Sequence, residues 1–521
     1  MTTRTPGRKQ GAVLPRSLRA DRRELRVETI AGGRPTVDIF FDEHRVWSMK
    51  LPSAHPRSGV RHIPWPIAVV PYLTGVSTVM VRSSATGEDL ASGEANFGGP
   101  GRVTITDSQG RWLAMNKWNR LGPSFDGDSS GVQERMLDAA ALLAKRMQTW
   151  GYPIYMVGGN LLGAMRSGNL LPHDDDIDFA FWCDKSDPQD VSLVGFEVER
   201  QLERAGYTVV RHSHAHLELV FFTSEGDLDY YMDVFTGYHS EDGLYNQPFA
   251  MRVELPRESL LPTKDLEVGG VPLPAPAVPA AWLEVAYGPR WRVPDPSFRW
   301  EPEKSTLRRF TNSYGVFNRQ RVFWEKSWQR VGKRSETDAD AFDDVAPFLR
   351  LLPENAFVVD LGCGDGRQAE RIAAGGHRVL GVDYSFEALR VARQTQPSGV
   401  DYQFLNLNDR HSLLGFALEL IDEGRQPYFF ARNLLHEMPT LGRADLFVTL
   451  RGMLDGQTFL YATFDASAVP RSAANPETWR LRVGTLRREA WRWKLGTTVV
   501  SDRRRTTPFG DRRNVTALVW A

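Results

Sequence analysis

The segment Asp174-Asp175-Asp176-Ile177-Asp178-Phe179 alternates acids with apolar residues from Asp176 onward. Side chains alternate between faces along a strand, so Asp176 and Asp178 are expected to point the same way. Asp174, at the strand's start, is expected to join them. Carboxylates sharing one face repel unless a cation lies between them. Hard oxygen ligands suit Mg2+ or Mn2+, with the phosphates of a nucleotide completing the shell. A later acid, Asp233, lies in the apolar run Tyr231-Met232-Asp233-Val234-Phe235 and is expected on a neighbouring buried strand, facing the same cleft. Upstream, an apolar strand over 152–157 runs into Gly158-Gly159-Asn160 and a short helix over 161–166. Backbone N–H groups of Gly158 and Gly159 at the helix start can cradle phosphate. These residue types suit phosphoryl transfer, with a cation clamping phosphate oxygens and a carboxylate taking the attacking hydroxyl's proton. Arg166 can grip an oxyanion bidentately or stand as an exposed helix-end arginine.

A second constellation follows. Residues 356–361 form an apolar run ending in Asp360-Leu361, and Gly362-Cys363-Gly364-Asp365-Gly366 is a glycine-rich turn before a helix over 367–374. The next strand ends at Asp383, 23 residues after Asp360. That spacing fits a βαβ unit presenting a carboxylate to ribose hydroxyls. His436 and Glu437, after the strand-like run 428–432, are candidate bases for a hydroxyl acceptor, and His436 is equally readable as a packing residue. His212, His214 and His216 alternate along one run. They read better as the solvated face of a strand than as a zinc site, because no fourth ligand accompanies them.

These groups need three structural contexts, and 521 residues provide room for about three domains. Residues 1–26 carry eight Lys/Arg against two acids and read as a disordered basic tail, able to lean on an anionic membrane surface. Residues 27–125 read as an all-β accessory domain, with a hairpin over 103–115. A helix over 131–151 opens an α+β middle domain over 130–300, in which the proline-rich stretch 271–279 reads as a rigid loop. Residues 301–315 form a polar linker. Residues 316–521 alternate strands and helices as a Rossmann-like α/β domain. Its end is basic, with eleven Lys/Arg between Arg480 and Arg513.

Composition narrows the function. Lys+Arg and Asp+Glu are both 64, which disfavours general nucleic-acid binding. Two cysteines exclude a disulfide framework and a Cys-rich zinc module. No run of 18 apolar residues is present, and the basic start lacks a signal-like apolar core, so a cytoplasmic protein is expected, peripheral at a membrane at most.

The run Gly158-Gly159…Arg166…Pro172-His173-Asp174…Asp178, with Asp233 and the later Tyr287-Gly288-Pro289-Arg290-Trp291, resembles the LicD/fukutin family over about residues 130–300. The resemblance implies a nucleotidyltransferase-like fold in which Asp174, Asp176, Asp178 and Asp233 hold Mg2+ or Mn2+. It further implies transfer of a phospho-substituent, phosphocholine or an alditol phosphate, from a CDP-activated donor. His173 departs from the Trp that many members place there. Residues 310–521 resemble class I S-adenosylmethionine-dependent methyltransferases. By that resemblance Asp360, Gly362, Gly364 and Gly366 hold the methionine part and Asp383 the ribose. Asn406 would meet the adenine edge, and Asn433 would lie on the motif beside the methyl group.

The expectation is a bifunctional enzyme of surface-polysaccharide modification, such as teichoic acid or capsule. It would transfer a phospho-group to a glycan or lipid-linked saccharide and methylate the product or a related substrate. Two readings stay open beside it. One is a nucleotidyltransferase releasing pyrophosphate, fused to an independent small-molecule methyltransferase. The other is a nucleotide-binding scaffold whose middle domain has no turnover.

Overall fold

A computed structural model describes the chain apart from residues 1–15, 29–33, 57, 85, 107–109, 111, 116–120, 124–130, 172–173, 175, 225, 227, 249–250, 294, 296–297, 299–300, 332–343, 395–397, 468–474 and 508–509. The basic run 1–15, His173 and Asp175 lie outside the described residues. Two compact units divide between Gly315 and Val316.

The first unit begins with a strand-rich region. Seven strands follow one hydrogen-bonded path: His44–Lys50, Thr36–Phe41, Val76–Ser83, Asp89–Asn96, Arg16–Ala20, Glu24–Glu28 and Val60–Pro64. The strands Arg16–Ala20 and Glu24–Glu28 correct the disordered-tail expectation for residues 16–26. Arg19 and Arg26 face outward while Leu18, Leu25 and Val27 enter the core, an alternation that the high charge obscured. Phe41, Trp65 and Phe97 meet inside with ring centroids 5.6–6.1 Å apart. Among the described residues, the expected 103–115 hairpin shows as a bridge between Thr106 and Trp112, with Leu113 N–H donating to Ile105 O at 2.8 Å. Beyond it, Leu113–Met115 pairs with Leu121–Pro123.

The middle region is built on a mixed sheet ordered Ile154–Met156, Asp176–Trp182, Leu228–His239, His216–Phe222, Thr208–Ser213. Only the pair Asp176–Trp182 and Leu228–His239 is parallel. Helix Val132–Thr149 buries Met136, Ala140, Leu143 and Met147, and helix Pro188–Arg204 buries Val191, Val198 and Leu202, all in one core with the sheet.

Two expectations change here. Val271–Ala275, placed in a loop for its prolines, is a strand paired with Lys264–Val268. In a two-stranded ribbon each strand has an outer edge, where a missing proline N–H costs no ladder bond. The polar linker contains the helix Lys304–Tyr314, which buries Phe310 and Tyr314 against the middle core. Tyr314 OH donates to Tyr238 OH at 2.6 Å, and His214 N–H donates to Tyr314 O at 2.9 Å.

The second unit is a seven-stranded sheet ordered Val400–Phe404, Arg378–Asp383, Phe357–Leu361, Tyr428–Arg432, Phe459–Asp465, Gly510–Trp520, Gly496–Thr507. The first five strands are parallel; Gly510–Trp520 runs antiparallel to them, and Gly496–Thr507 runs antiparallel to Gly510–Trp520. The order reverses between Phe357–Leu361 and Tyr428–Arg432, and such a switch point opens a crevice at the strands' carboxyl ends.

Candidate active sites

In the middle region the sheet register assembles the acids. Asp178 and Asp233 are partners across the parallel pair, and Glu218 and Asp233 across the antiparallel pair. Three carboxylates therefore lie in one row over three adjacent strands. Ile177 and Phe179 point the other way and are fully buried. Ligand oxygens of Asp176, Asp178 and Asp233 lie within 4.8 Å of one another, as do ligand atoms of His212, Glu218 and Asp233.

Asn160 fixes the start of the acidic strand. It is fully buried, its Nδ2 donates to Asp176 O at 2.9 Å, and its Oδ1 accepts Asp178 N–H at 2.6 Å. The helix begins at the glycines and spans Gly158–Ser167. Gly158 has φ +62°, and a Cβ there would overlap the Asp178 carboxylate. A Cβ on Gly159 would lie 3.0 Å from both carboxylate oxygens of Asp174. The glycines thus let the helix N-terminus, with its positive dipole end, close onto two acids.

Three expectations are revised. Asp174 abuts Gly159 and stands outside the cluster of Asp176, Asp178 and Asp233. Arg166, expected on phosphate, donates through Nε to Trp291 O at 2.8 Å and through Nη2 to Trp291 O and Val293 O. It fastens the Tyr287–Trp291 segment to the glycine helix. The three histidines straddle a hairpin. His212 and His216 stack with centroids 4.7 Å apart, whereas His214 packs by Phe196. His212 Nε2 is 3.0 Å from Glu218 Oε2, and His216 Nε2 is 2.7 Å from Asp233 Oδ1. Burial pushes the His216 imidazole down to about 4, so at neutral pH it is a neutral N–H donor to Asp233. Glu218 carries no motif signal of its own, and neither the histidine alternation nor the Gly158-Gly159-Asn160 turn gives the partners of His212, His216 and Asn160. Only strand pairing and the glycine helix bring them to the row.

In the second unit a cavity opens at the switch point, lined by Asp360, Gly362, Gly364, Asp383 and Asn433, all expected there. Each glycine answers a close approach: Gly362 (φ +68°) to Leu434 and Gly364 (φ +56°) to Trp328, where a Cβ would come within 2.9 and 2.8 Å. Gly366, against the Tyr402 hydroxyl, serves the loop's packing and is not in the lining. Asp383 accepts Gly364 N–H at 3.0 Å and Ser385 N–H at 2.9 Å. Asn433 adopts φ +58°, a left-handed conformation that asparagine tolerates better than most residues.

Asn406 turns away from the cavity: its Nδ2 donates to Asn318 Oδ1 at 3.0 Å, and its Oδ1 accepts Asn408 N–H. Asn408 takes its place in the lining. His436 is also outside the lining and buried, its Nδ1 accepting Asp465 N–H at 3.3 Å. A neutral His436 therefore carries its proton on Nε2 and cannot accept another there. Glu437 lines the cavity and is the better-placed base. Trp324 and Trp328, from the helix Arg321–Val331, form a wall that no motif announced.

Electrostatics mark the same cavity. Burial first, then the nearby Asp383 charge, raises Asp360 to about 7, and burial raises Asp383 to about 6. Asp360 and Asn408 line the cavity, and the buried atoms Asp360 Oδ2 and Asn408 Oδ1 have no hydrogen-bond partner among the described residues.

Residues 151–278 match the model of the LicD/FKTN/FKRP nucleotidyltransferase domain, and residues 358–422 match that of a methyltransferase domain. Solved structures similar to this chain include a SAM-dependent methyltransferase from Anabaena variabilis, with 16% identity over 38% of this chain and 93% of that one, and a TM-score of 0.31. A TehB-like SAM-dependent methyltransferase from Corynebacterium glutamicum has 17% identity over 38% and 99%, with a TM-score of 0.28. Magnesium protoporphyrin IX methyltransferase from Synechocystis with bound SAH has 14% identity over 39% and 97%, with a TM-score of 0.27. The two family matches bear out a LicD-type region followed by a methyltransferase region. Among the described residues no helix is long and apolar enough to cross a membrane.

Proposed function

We propose that the chain is a bifunctional glycan-modifying enzyme. Its middle domain moves a phospho-substituent from a CDP-activated donor to a hydroxyl of a glycan or lipid-linked saccharide. Its second unit methylates the product or a related substrate with S-adenosylmethionine.

The observation that carries the first activity is the in-register pair Asp178 and Asp233, with Asp176 within ligand distance of both. This oxygen-only donor set fits Mg2+ or Mn2+. A bound cation would supply charge neutralisation at the donor's phosphate oxygens. The protein's own part is to hold that row rigid. Asn160 pins the backbone on both sides of Ile177, and His216 orients Asp233 through its Nε2–H. In the transfer the acceptor oxygen forms a bond to the distal phosphorus. The phosphoanhydride bond breaks, CMP leaves with the bridging oxygen, and a carboxylate of the row takes the hydroxyl proton.

The second activity is supported by the methyltransferase match and by the fit of the cavity. The buried Asp360 Oδ2 suits an ammonium group, and the Asn408 amide suits a base edge. S-adenosylmethionine would supply the methyl group on a sulfonium that becomes neutral on transfer. Trp324, Trp328 and the glycine turn exclude water from the reacting atoms, and Glu437 accepts a proton where the acceptor is a hydroxyl.

The test supplies CDP-choline, CDP-glycerol and CDP-ribitol in turn with Mg2+ or Mn2+ and a saccharide acceptor. CMP release with one of them supports the reading. Pyrophosphate release from a nucleoside triphosphate, without CMP, would replace it with nucleotidyl transfer.

A further inference from the structure

We propose that the middle domain holds a second cation position, formed by His212, Glu218 and Asp233, which takes a borderline divalent transition ion in preference to Mg2+. Two ligand groups share Asp233. One consists of carboxylates alone, Asp176, Asp178 and Asp233; the other includes an imidazole. Carboxylate sets suit Mg2+ and Mn2+, whereas an imidazole among the ligands favours ions such as Zn2+.

The second group is held as ligands usually are. Glu218 and Asp233 are register partners on adjacent antiparallel strands, so their separation is set by the sheet and not by a loop. His212, at the end of the neighbouring strand, has its Nε2 3.0 Å from Glu218 Oε2. Its ring lies flat on His216, with 17° between the planes. His216 is itself stacked on Phe235 and joined through Nε2 to Asp233. That is the outer layer of contacts which orients metal-binding side chains. The His212 side chain is 28% exposed and that of Glu218 13%, so an ion can reach them from solvent. Because the two groups share Asp233, cations held by them would be near neighbours.

The position stands apart from the transfer reaction, because ion binding is measured with no donor present. Full-length protein stripped with a chelator is dialysed against Zn2+ alone. Wild type is expected to take up one equivalent more than His212→Ala, or to bind that equivalent at least ten-fold more tightly. Asp178→Asn is expected to keep it. His212→Gln retains a hydrogen-bonding side chain beside Glu218 and should lose the equivalent as well, which separates loss of a ligand from loss of fold. Equal Zn2+ uptake by wild type and both His212 variants overturns the proposal, and so does loss of the same equivalent in Asp178→Asn. CMP release in Mg2+ is scored separately. Release without the extra equivalent overturns this position alone, and the extra equivalent without release counts against the transfer reading alone.

Discussion

Asn160 accepts the backbone N–H of Asp178 at 2.6 Å while donating to the carbonyl of Asp176 at 2.9 Å, so one buried amide spans the acidic strand from the glycine helix. The backbone that carries both carboxylates is held by a side chain of the glycine helix. Truncation in Asn160→Ala leaves a part-buried N–H and a part-buried C=O without that partner, at a combined cost of about 1–3 kcal/mol. Denaturant unfolding of the first unit should show a loss in that range. CMP release should fall at least ten-fold, although every acid remains.

Gly158→Ala tests the approach of helix and acid. The added methyl would overlap the Asp178 carboxylate at a backbone φ of +62°. Transfer should drop by about 10²-fold, since a 1 Å displacement of a positioned group has that effect. Gly151 also has positive φ, but nothing lies within 4 Å of a Cβ there. Gly151→Ala should therefore show the conformational cost without the loss of activity.

The second unit should carry a pH signature. Asp360 is raised to about 7 and Asp383 to about 6, from 3.8 in each case, with burial the first cause of both. Between these values and 3.8 the folded state binds more protons than the unfolded one. The contribution is thus full below pH 3.8 and is lost as pH rises through about 6 to 7. Thermal melts of the protein without cofactor should show this decline, and Asp360→Asn should flatten it. S-adenosylmethionine affinity should move the other way. It should rise up to about pH 7 as Asp360 ionises, and calorimetry in buffers of different ionisation enthalpy should record proton release below that pH.

Glu437 and His436 separate by their readouts. With a hydroxyl acceptor, Glu437→Gln should lower kcat by 10²-fold or more and remove the acid limb of the pH–rate profile. His436→Gln should lower kcat less and keep that limb, because His436 holds the Asp465 backbone and does not line the cavity.

Much of this was legible where chemistry and local periodicity coincide. Asp176 and Asp178 stand two apart between apolar neighbours, so one strand settles their common face. Asp360, the turn glycines and Asp383 fall at the ends of two consecutive parallel strands, and length alone locates them. What escaped depends on pairing between distant segments. Glu218 joins Asp233 only because His216–Phe222 and Leu228–His239 pair in one register and not its neighbour, and a one-residue slip would turn Glu218 to the other face. Asn406 and Asn408 are two residues apart, yet the first bonds Asn318 of a distant segment and the second faces the cavity. Trp324 and Trp328 precede the glycine turn by more than thirty residues. Arg166 looked like a phosphate ligand because its partners are carbonyls, which have no signature in a sequence.

The most direct test of the central claim compares CMP release by wild type, Asp178→Asn and Asp233→Asn with the donor that wild type accepts, in Mg2+ or Mn2+. Both substitutions keep the shape of the row and remove one charge. The account predicts a fall of at least 10²-fold in each, with S-adenosylmethionine binding unchanged. CMP release at wild-type rates in either variant would contradict it.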